Sequence, residues 1–309
     1  MIYTVTLNPA LDKSVTISDF TLDAVNRVSH VRIDAGGKGV NVSKALKSFG
    51  CESIAMGFVG GGSGETLLAA LTEMGIQCDF VSVPGQTRTN LKVFDPLHHT
   101  YTDINEPGAP VPPAALDELF ERISARVRSG DILLFAGSAP QGMPVDLPAR
   151  WAMALAARGV QVAADMDEAL LKAIVKSKPF LIKPNAQEMA KLCGLADTEL
   201  ETLAAAASAL VDDGIAMVAV SMGSEGAIFA DKAGVLFAEA PKVEAVSTVG
   251  AGDTLVAGLL FAKERAYSKE EAVRFAMAAA AAKVTRPGSS PPTGAQAEAY
   301  LSHIKATRL

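Results

Sequence analysis

Ala35-Gly36-Gly37-Lys38-Gly39-Val40-Asn41-Val42-Ser43-Lys44-Ala45-Leu46-Lys47-Ser48-Phe49-Gly50 carries the reading of the fold. Val42, Ala45, Leu46 and Phe49 fall at i, i+3, i+4 and i+7, the apolar stripe of an amphipathic helix, and Gly50 stands where a left-handed C-terminal cap belongs. The helix starts directly after Gly36-Gly37-Lys38-Gly39. Just beyond it, residues 53–59 form a near-continuous apolar, β-rich run, and runs of the same kind recur at 2–7, 131–136, 160–165, 180–182 and 216–221. Helical patterns intervene at 113–128, at 146–158 with Asp146 as N-cap, and at 198–213. Apolar strands alternating with amphipathic helices predict an α/β fold whose mainly parallel sheet is covered on both faces.

Two stretches break that rhythm. Within 14–34 and 88–105 polar and apolar residues alternate, as in Val28-Ser29-His30-Val31-Arg32-Ile33. Period-two patterning predicts antiparallel strands with one wet face, placed as a small β-flap on the edge of the main sheet, its polar side chains reaching into a cleft. A decorative hairpin is the alternative. The last third reads as helices at 251–263, 269–286 and 293–303, with Ala278 to Ala282 as a close-packed helix interface. No repeat or linker divides the 309 residues, about twice a typical domain of about 150, so one domain over 1–309 is expected.

Composition narrows the partners. Lys+Arg number 28 and Asp+Glu 34, a formal charge of −6, and the pI is about 5.3, which argues against a nucleic-acid surface. No run approaches the roughly 18 apolar residues of a membrane span. Residues 1–8 read as a strand entering a polar turn, without a basic n-region or cleavage site, so the cytoplasm is the expected address. Cys51, Cys78 and Cys193 are too scattered for a disulfide framework. The four histidines lack metal-ligand spacing, and His98-His99 looks like a hairpin tip.

The common nucleotide motifs fail. Gly36-Gly37-Lys38-Gly39 lacks the hydroxyl residue and upstream glycine of a P-loop, and Gly60-Gly61-Gly62-Ser63-Gly64 misses the dinucleotide spacing. The strongest local signal is Ser247-Thr248-Val249-Gly250-Ala251-Gly252-Asp253-Thr254, which opens an apolar helix. Small residues at a helix start leave N–H groups unobstructed, and with the positive end of the dipole they form an anion site. Asp253 at its edge is placed to accept a proton from an attacking hydroxyl, although the same dipole should lower its pKa and weaken it as a base. A capped, tightly packed helix explains the same residues without chemistry.

Residues 247–258 resemble the C-terminal signature of the ribokinase-like (PfkB) sugar kinases, and 35–43 resemble their N-terminal signature. Further matches are Thr6-Leu7-Asn8-Pro9-Ala10-Leu11-Asp12, Asn26-Arg27, Arg88-Thr89-Asn90, Asn105-Glu106-Pro107-Gly108, Gly137-Ser138, Lys183-Pro184-Asn185-Ala186-Gln187-Glu188 and Ser221-Met222-Gly223-Ser224-Glu225-Gly226. Together they resemble the phosphosugar branch of 1-phosphofructokinase, tagatose-6-phosphate kinase and the minor 6-phosphofructokinase. The resemblance implies a three-layer α/β/α sandwich with a protruding β-sheet lid, and an ATP- and Mg²⁺-dependent kinase of a ketohexose monophosphate, fructose 1-phosphate first. It implies Asp253 as base and Gly250, Ala251 and Gly252 as anion hole. Asp12, Gly37, Lys38, Gly39, Asn41, Asn90 and Ser138 would hold the sugar, and Arg88 with Arg27 its phosphate. Lys183, Ser221, Gly223, Ser224, Gly226 and Ser247 would meet the nucleotide, and Asn185 and Glu188 the Mg²⁺, through water. Family members often bind a monovalent cation such as K⁺ through carbonyls, which Ser247, Val249 and the loop around Gly288 match. A homodimer through the lid is expected, since an isolated two-stranded ribbon is only marginally stable.

Asp165-Met166-Asp167-Glu168-Ala169 departs from the branch's usual Asp-Ser/Thr-Ser-Gly-Glu, and Arg286-Pro287-Gly288-Ser289-Ser290 departs from the usual end of the adenine loop. A non-catalytic sugar-phosphate sensor is a rival that the retained Asp253 and glycines disfavour. A nicotinamide oxidoreductase is a second rival, disfavoured by the missing fingerprint.

Overall fold

Strands β1 (Ile2–Thr6), β4 (Ser53–Val59) and β8 (Ile132–Gly137) are buried at every residue in the computed structural model, which describes residues 1–309. That is why they read as unbroken apolar runs. With β5 (Gln77–Ser82), β9 (Gln161–Met166), β10 (Leu181–Ile182) and β11 (Met217–Ser221) they form a parallel array in the order β5-β4-β1-β8-β9-β10-β11. Three antiparallel strands extend it: β12 (Gly226–Asp231), β13 (Gly234–Glu239) and β14 (Ala306–Arg308). The expected strands end at residue 221, so this edge is an addition to the sequence reading.

Helices cover both faces. Tyr3 and Val5 of β1 pack with α3 (Pro113–Arg126), α4 (Leu147–Ala156), α5 (Glu168–Ile174), α6 (Ala186–Cys193) and α7 (Leu200–Asp212). Ile2 faces the other layer, with α1 (Lys38–Ser48), α8 (Ala251–Glu264), α9 (Lys269–Val284) and α10 (Gly294–Glu298), while α2 (Gly61–Glu73) packs beside α1. The expected stripe of α1 does its work here: Phe49, just past the helix, meets Phe261 of α8 at 5.7 Å and Phe275 of α9 at 5.4 Å, edge to face. Gly50 follows with φ 76°, the left-handed turn its sequence position predicts. Ala276, Ala278, Ala279, Ala281 and Ala282 of α9 are buried, as a close helix interface requires.

Two local readings are corrected. Asp146 precedes α4 but its side chain caps nothing; it pairs with Arg150 at 3.1 Å instead. The expected 293–303 helix is the short α10, capped by Thr293, followed by a separate 3₁₀ turn at Leu301–His303. The glycine run at 60–64, which lacks the dinucleotide spacing, forms the turn between β4 and α2.

The second sheet has the order β3-β2-β6-β7, from β2 (Ala10–Thr16), β3 (His30–Gly36), β6 (Arg88–Asp95) and β7 (Thr100–Asn105). Its central pair, β2 and β6, is parallel, not antiparallel as the alternation suggested. The cause is topological: β2 continues from β1 and β6 follows β5, so both chains leave the same edge of the main sheet. Register puts Asp34, Asp12, Asn90 and Asn105 in one cross-strand row, and Ile33, Lys13, Leu91 and Ile104 in the adjacent row on the opposite face. One face is polar; the other is largely apolar.

Candidate active site

The C-terminal ends of β1, β8, β9, β10 and β11 open under the polar face of the second sheet, the place where ligands collect on open α/β sheets. Functional side chains enter from these ends, from the starts of α1, α6 and α8, and from β2 and β6 of the second sheet. Gly39, in the first turn of α1, allows the helix to enter against β1, because a Cβ there would lie 2.5 Å from Thr6 Oγ1. The glycines of this segment therefore bring backbone close to β1.

Gly250 adopts φ 78°, ψ 7° as N-cap of α8, a left-handed conformation that turns the chain abruptly into the helix. The amides of Gly250, Gly252 and Asp253 have no acceptor within the chain, whereas the Ala251 amide donates to Thr248 O at 3.1 Å. Three bare N–H groups thus stand at the helix start. Asp253 is 8% exposed, and Asn41 Nδ2 donates to its Oδ2 at 2.8 Å. Burial, and then the negative charge of Asp165, push the Asp253 carboxyl up to about 6, against the opposing pull of the Asn41 hydrogen bond and of Lys38 and Lys183. The expectation that the dipole would leave it a feeble base is overturned: desolvation wins.

Asp165, at the end of β9, is 1% exposed and sits between two ammonium groups, Lys38 Nζ 3.1 Å from Oδ1 and Lys183 Nζ 3.4 Å from Oδ2. Burial opposes its ionisation, but Lys183 and Lys38 outweigh burial and hold its pKa below the ordinary carboxylate range. Lys38 also lies 3.7 Å from Asp167. Burial works against its charge, yet Asp165, Glu188 and Asp167 raise its pKa. Lys183 Nζ is 3.5 Å from where a Cβ on Gly252 would stand, so this cluster borders the bare amides. The sequence marks Asp165 only as the strand end that opens an atypical loop and does not announce its partners.

At the far end of the cleft, Asn90 Nδ2 donates to Asp12 Oδ1 at 3.1 Å. Arg88 donates to Asn8 O and Glu106 O, each at 3.0 Å, and to Ser138 Oγ at 3.3 Å. Arg88 Nε, Asn90 Oδ1 and Thr6 Oγ1 are buried without a hydrogen-bond partner, and Asp165 Oδ2 has only the Lys183 ion pair. Orphaned polar atoms are uncommon in a folded chain, and three in one cleft mark a place built for a polar ligand. Arg27 is not brought here: it lies exposed between β2 and β3 and makes none of these bonds.

On the other side of α8, Ser221, Gly223, Ser224, Gly226, Thr248, Ala251, Gly252 and apolar residues of α8 and α9 line a cavity of about 610 Å³, ample for a nucleoside. Ser247 is buried, its Oγ donating to Gly288 O at 3.4 Å. Asn185 caps α6: its Oδ1 accepts from Glu188 N at 2.8 Å, and Glu188 Oε2 accepts from Asn185 N at 2.9 Å. Both side chains are thus partly used by the helix start, and no group of three metal-ligating side chains exists. Glu188 Oε1 remains free, which suits a hydrated Mg²⁺ held mainly by phosphates and water.

No helix is long and apolar enough to cross a membrane. Comparisons with known proteins agree with the geometry. Residues 5–295 match the pfkB family of carbohydrate kinases. The 1-phosphofructokinase of Bacillus subtilis (strain 168) is 38% identical over 313 aligned residues, covering 100% of both chains. Phosphofructokinase-2 from Escherichia coli, solved with substrates and products, superposes with TM-score 0.93 at 29% identity, covering 97% of this chain and 99% of that one. The same enzyme in complex with potassium gives TM-score 0.92, again at 29% identity and the same coverage. The bare amides, the buried carboxylate and the match across nearly the whole length agree: this chain belongs to the pfkB family of carbohydrate kinases, enzymes that pass a phosphoryl group to an alcohol group of a carbohydrate.

Proposed function

We propose that this kinase transfers the γ-phosphoryl group of ATP to the 6-hydroxyl of fructose 1-phosphate, giving fructose 1,6-bisphosphate. The observation that carries the reading is Asp253, a buried carboxylate held by Asn41 beside three acceptor-free amides. Asp253 takes the hydroxyl proton, with a pKa near 6 that makes it a usable base at neutral pH. The amides of Gly250, Gly252 and Asp253 receive the phosphoryl oxygens as charge builds on them; Ala251 shapes the turn. Asp12 and Asn90 hold sugar hydroxyls, Ser138 borders them, and Gly37 with Gly39 sets the floor. Arg88 takes the phosphate already on the sugar; its unpartnered Nε is the donor left for it. Arg27 is the second candidate for that phosphate, reaching it when the 17–29 segment folds over the cleft, with the second sheet acting as lid.

Lys183, anchored on Asp165, faces the nucleotide phosphates; Lys38, expected on the sugar, shares that anchor and so is assigned to the phosphates as well, and the cavity around Ser221, Gly223, Ser224, Gly226 and Ser247 takes the adenosine. Asn185 and Glu188 would hold Mg²⁺ through water, and Mg²⁺ when bound neutralises charge on the phosphates. An ATP-dependent enzyme with free Cys51, Cys78 and Cys193 suits the cytoplasm. A second copy covers the outer face of the second sheet, where Val31 is 49%, Ile33 56% and Ile104 51% exposed.

A panel of ketohexose monophosphates assayed with ATP and Mg²⁺, the product read by phosphorus NMR, tests the proposal. Fructose 1-phosphate is expected to give the highest kcat/KM. The likeness to phosphofructokinase-2 keeps fructose 6-phosphate as the alternative acceptor, with tagatose 6-phosphate beside it, and preference for either overturns the assignment. Binding without turnover would make the chain a sensor.

A further inference from the structure

Lys283, near the end of α9, is 1% exposed. Its Nζ has a single acceptor, the carbonyl oxygen of Arg286 at 3.4 Å, and no carboxylate partner. The other buried lysines are better served: Lys183 has Asp165, and Lys44 has Ala35 O, Asn41 Oδ1 and Ser289 Oγ. A buried charge left with one long bond costs stability, and the cost is repaid only where the charge is used. The place of Lys283 shows the use. Its Cε is 3.7 Å from the point a Cβ on Gly250 would occupy, and that point is 3.8 Å from Asp253 Oδ2 and 3.9 Å from Asn41 Nδ2. The ammonium stem therefore runs behind the first residue of the phosphate cradle.

The same loop is where a monovalent metal was expected, and it does not fit one. An ammonium group already stands at this loop, where Arg286 O accepts from Lys283 Nζ at 3.4 Å. A metal ion among the loop carbonyls would stand against that group. We propose that Lys283 serves as this chain's own monovalent cation, a positioning residue whose fixed charge behind Gly250 favours an anion on the cradle, so that turnover needs no potassium. This rests on the reading that the cradle receives the terminal phosphate of ATP.

Burial lowers the pKa of Lys283 to about 8, helped by the charges of Lys44 on α1, Arg286 after α9 and Arg32 on β3, with Asp253 on α8 pulling the other way.

The test needs first the unaltered protein. With ATP, Mg²⁺ and the phosphosugar that it turns over, kcat/KM in potassium-free buffer is expected to match that in 100 mM KCl (roughly, within twofold). A tenfold or greater potassium requirement overturns the proposal and leaves the kinase reading intact; no turnover with any acceptor overturns that reading instead. Lys283→Met, neutral and of similar length, is expected to melt at or above the wild-type temperature. By calorimetry without acceptor, it is expected to bind a non-hydrolysable ATP analogue at least about tenfold more weakly, with partial recovery in KCl or methylammonium. Affinity unchanged from wild type would show Lys283 to be packing alone.

Discussion

Asp253 carries the chemistry, and two measurements isolate it. Asp253→Asn keeps the shape and the Asn41 contact but cannot accept a proton, so kcat is expected to fall at least about a hundredfold while calorimetric affinity for both substrates is largely retained. As a base Asp253 must be ionised, so kcat/KM for the wild type is expected to decline as pH drops through about 6. Asp165→Asn offers a sharper test. It removes the negative charge that helps raise the Asp253 pKa and frees Lys38 and Lys183 to act on it, so the acid limb of the pH profile should move to lower pH. A limb that stays in place would show that Asp165 does not act on the base. The Asp253 role was legible in the sequence because its neighbours in the chain, Gly250 to Gly252, explain it. The Asp165 cluster was not, since Lys38 lies 127 residues away and no local pattern announces such a meeting.

Secondary-structure elements show the same division. The buried strands of the parallel array and helices α1, α3, α8 and α9 were readable from apolar runs and 3.6-residue stripes. The β12–β13 hairpin escaped because its first residues had been read as a nucleotide loop, and the direction of β6 relative to β2 escaped because alternation reports a wet face, not a strand's heading. Helix contacts make a testable demand. A Cβ on Gly258 of α8 would stand 2.6 Å from Ala276 Cα of α9, so Gly258→Ala is expected to cost about 1–3 kcal/mol, read by chemical denaturation. Within the second sheet, Arg88→Ala is expected to raise KM for the phosphosugar at least about tenfold and KM for ATP far less. Equal changes would remove Arg88 from the acceptor site.

At the scale of the molecule, the outer face of the second sheet predicts assembly. Ile33→Asp with Ile104→Asp places charges on that apolar face, and sedimentation is expected to shift from dimer to monomer at micromolar concentration, with weaker sugar affinity as the lid loses support. A wild type that sediments as a monomer would exclude a dimer. The order of the main sheet has another consequence, for synthesis. β1 is made first yet lies between β4 and β8, so a nascent chain emerging from the ribosome carries this interior strand with one flank unpaired until residues 132–137 have been made. Fragments that stop earlier expose that flank and will tend to aggregate, which makes the first half of the chain a poor choice for separate expression.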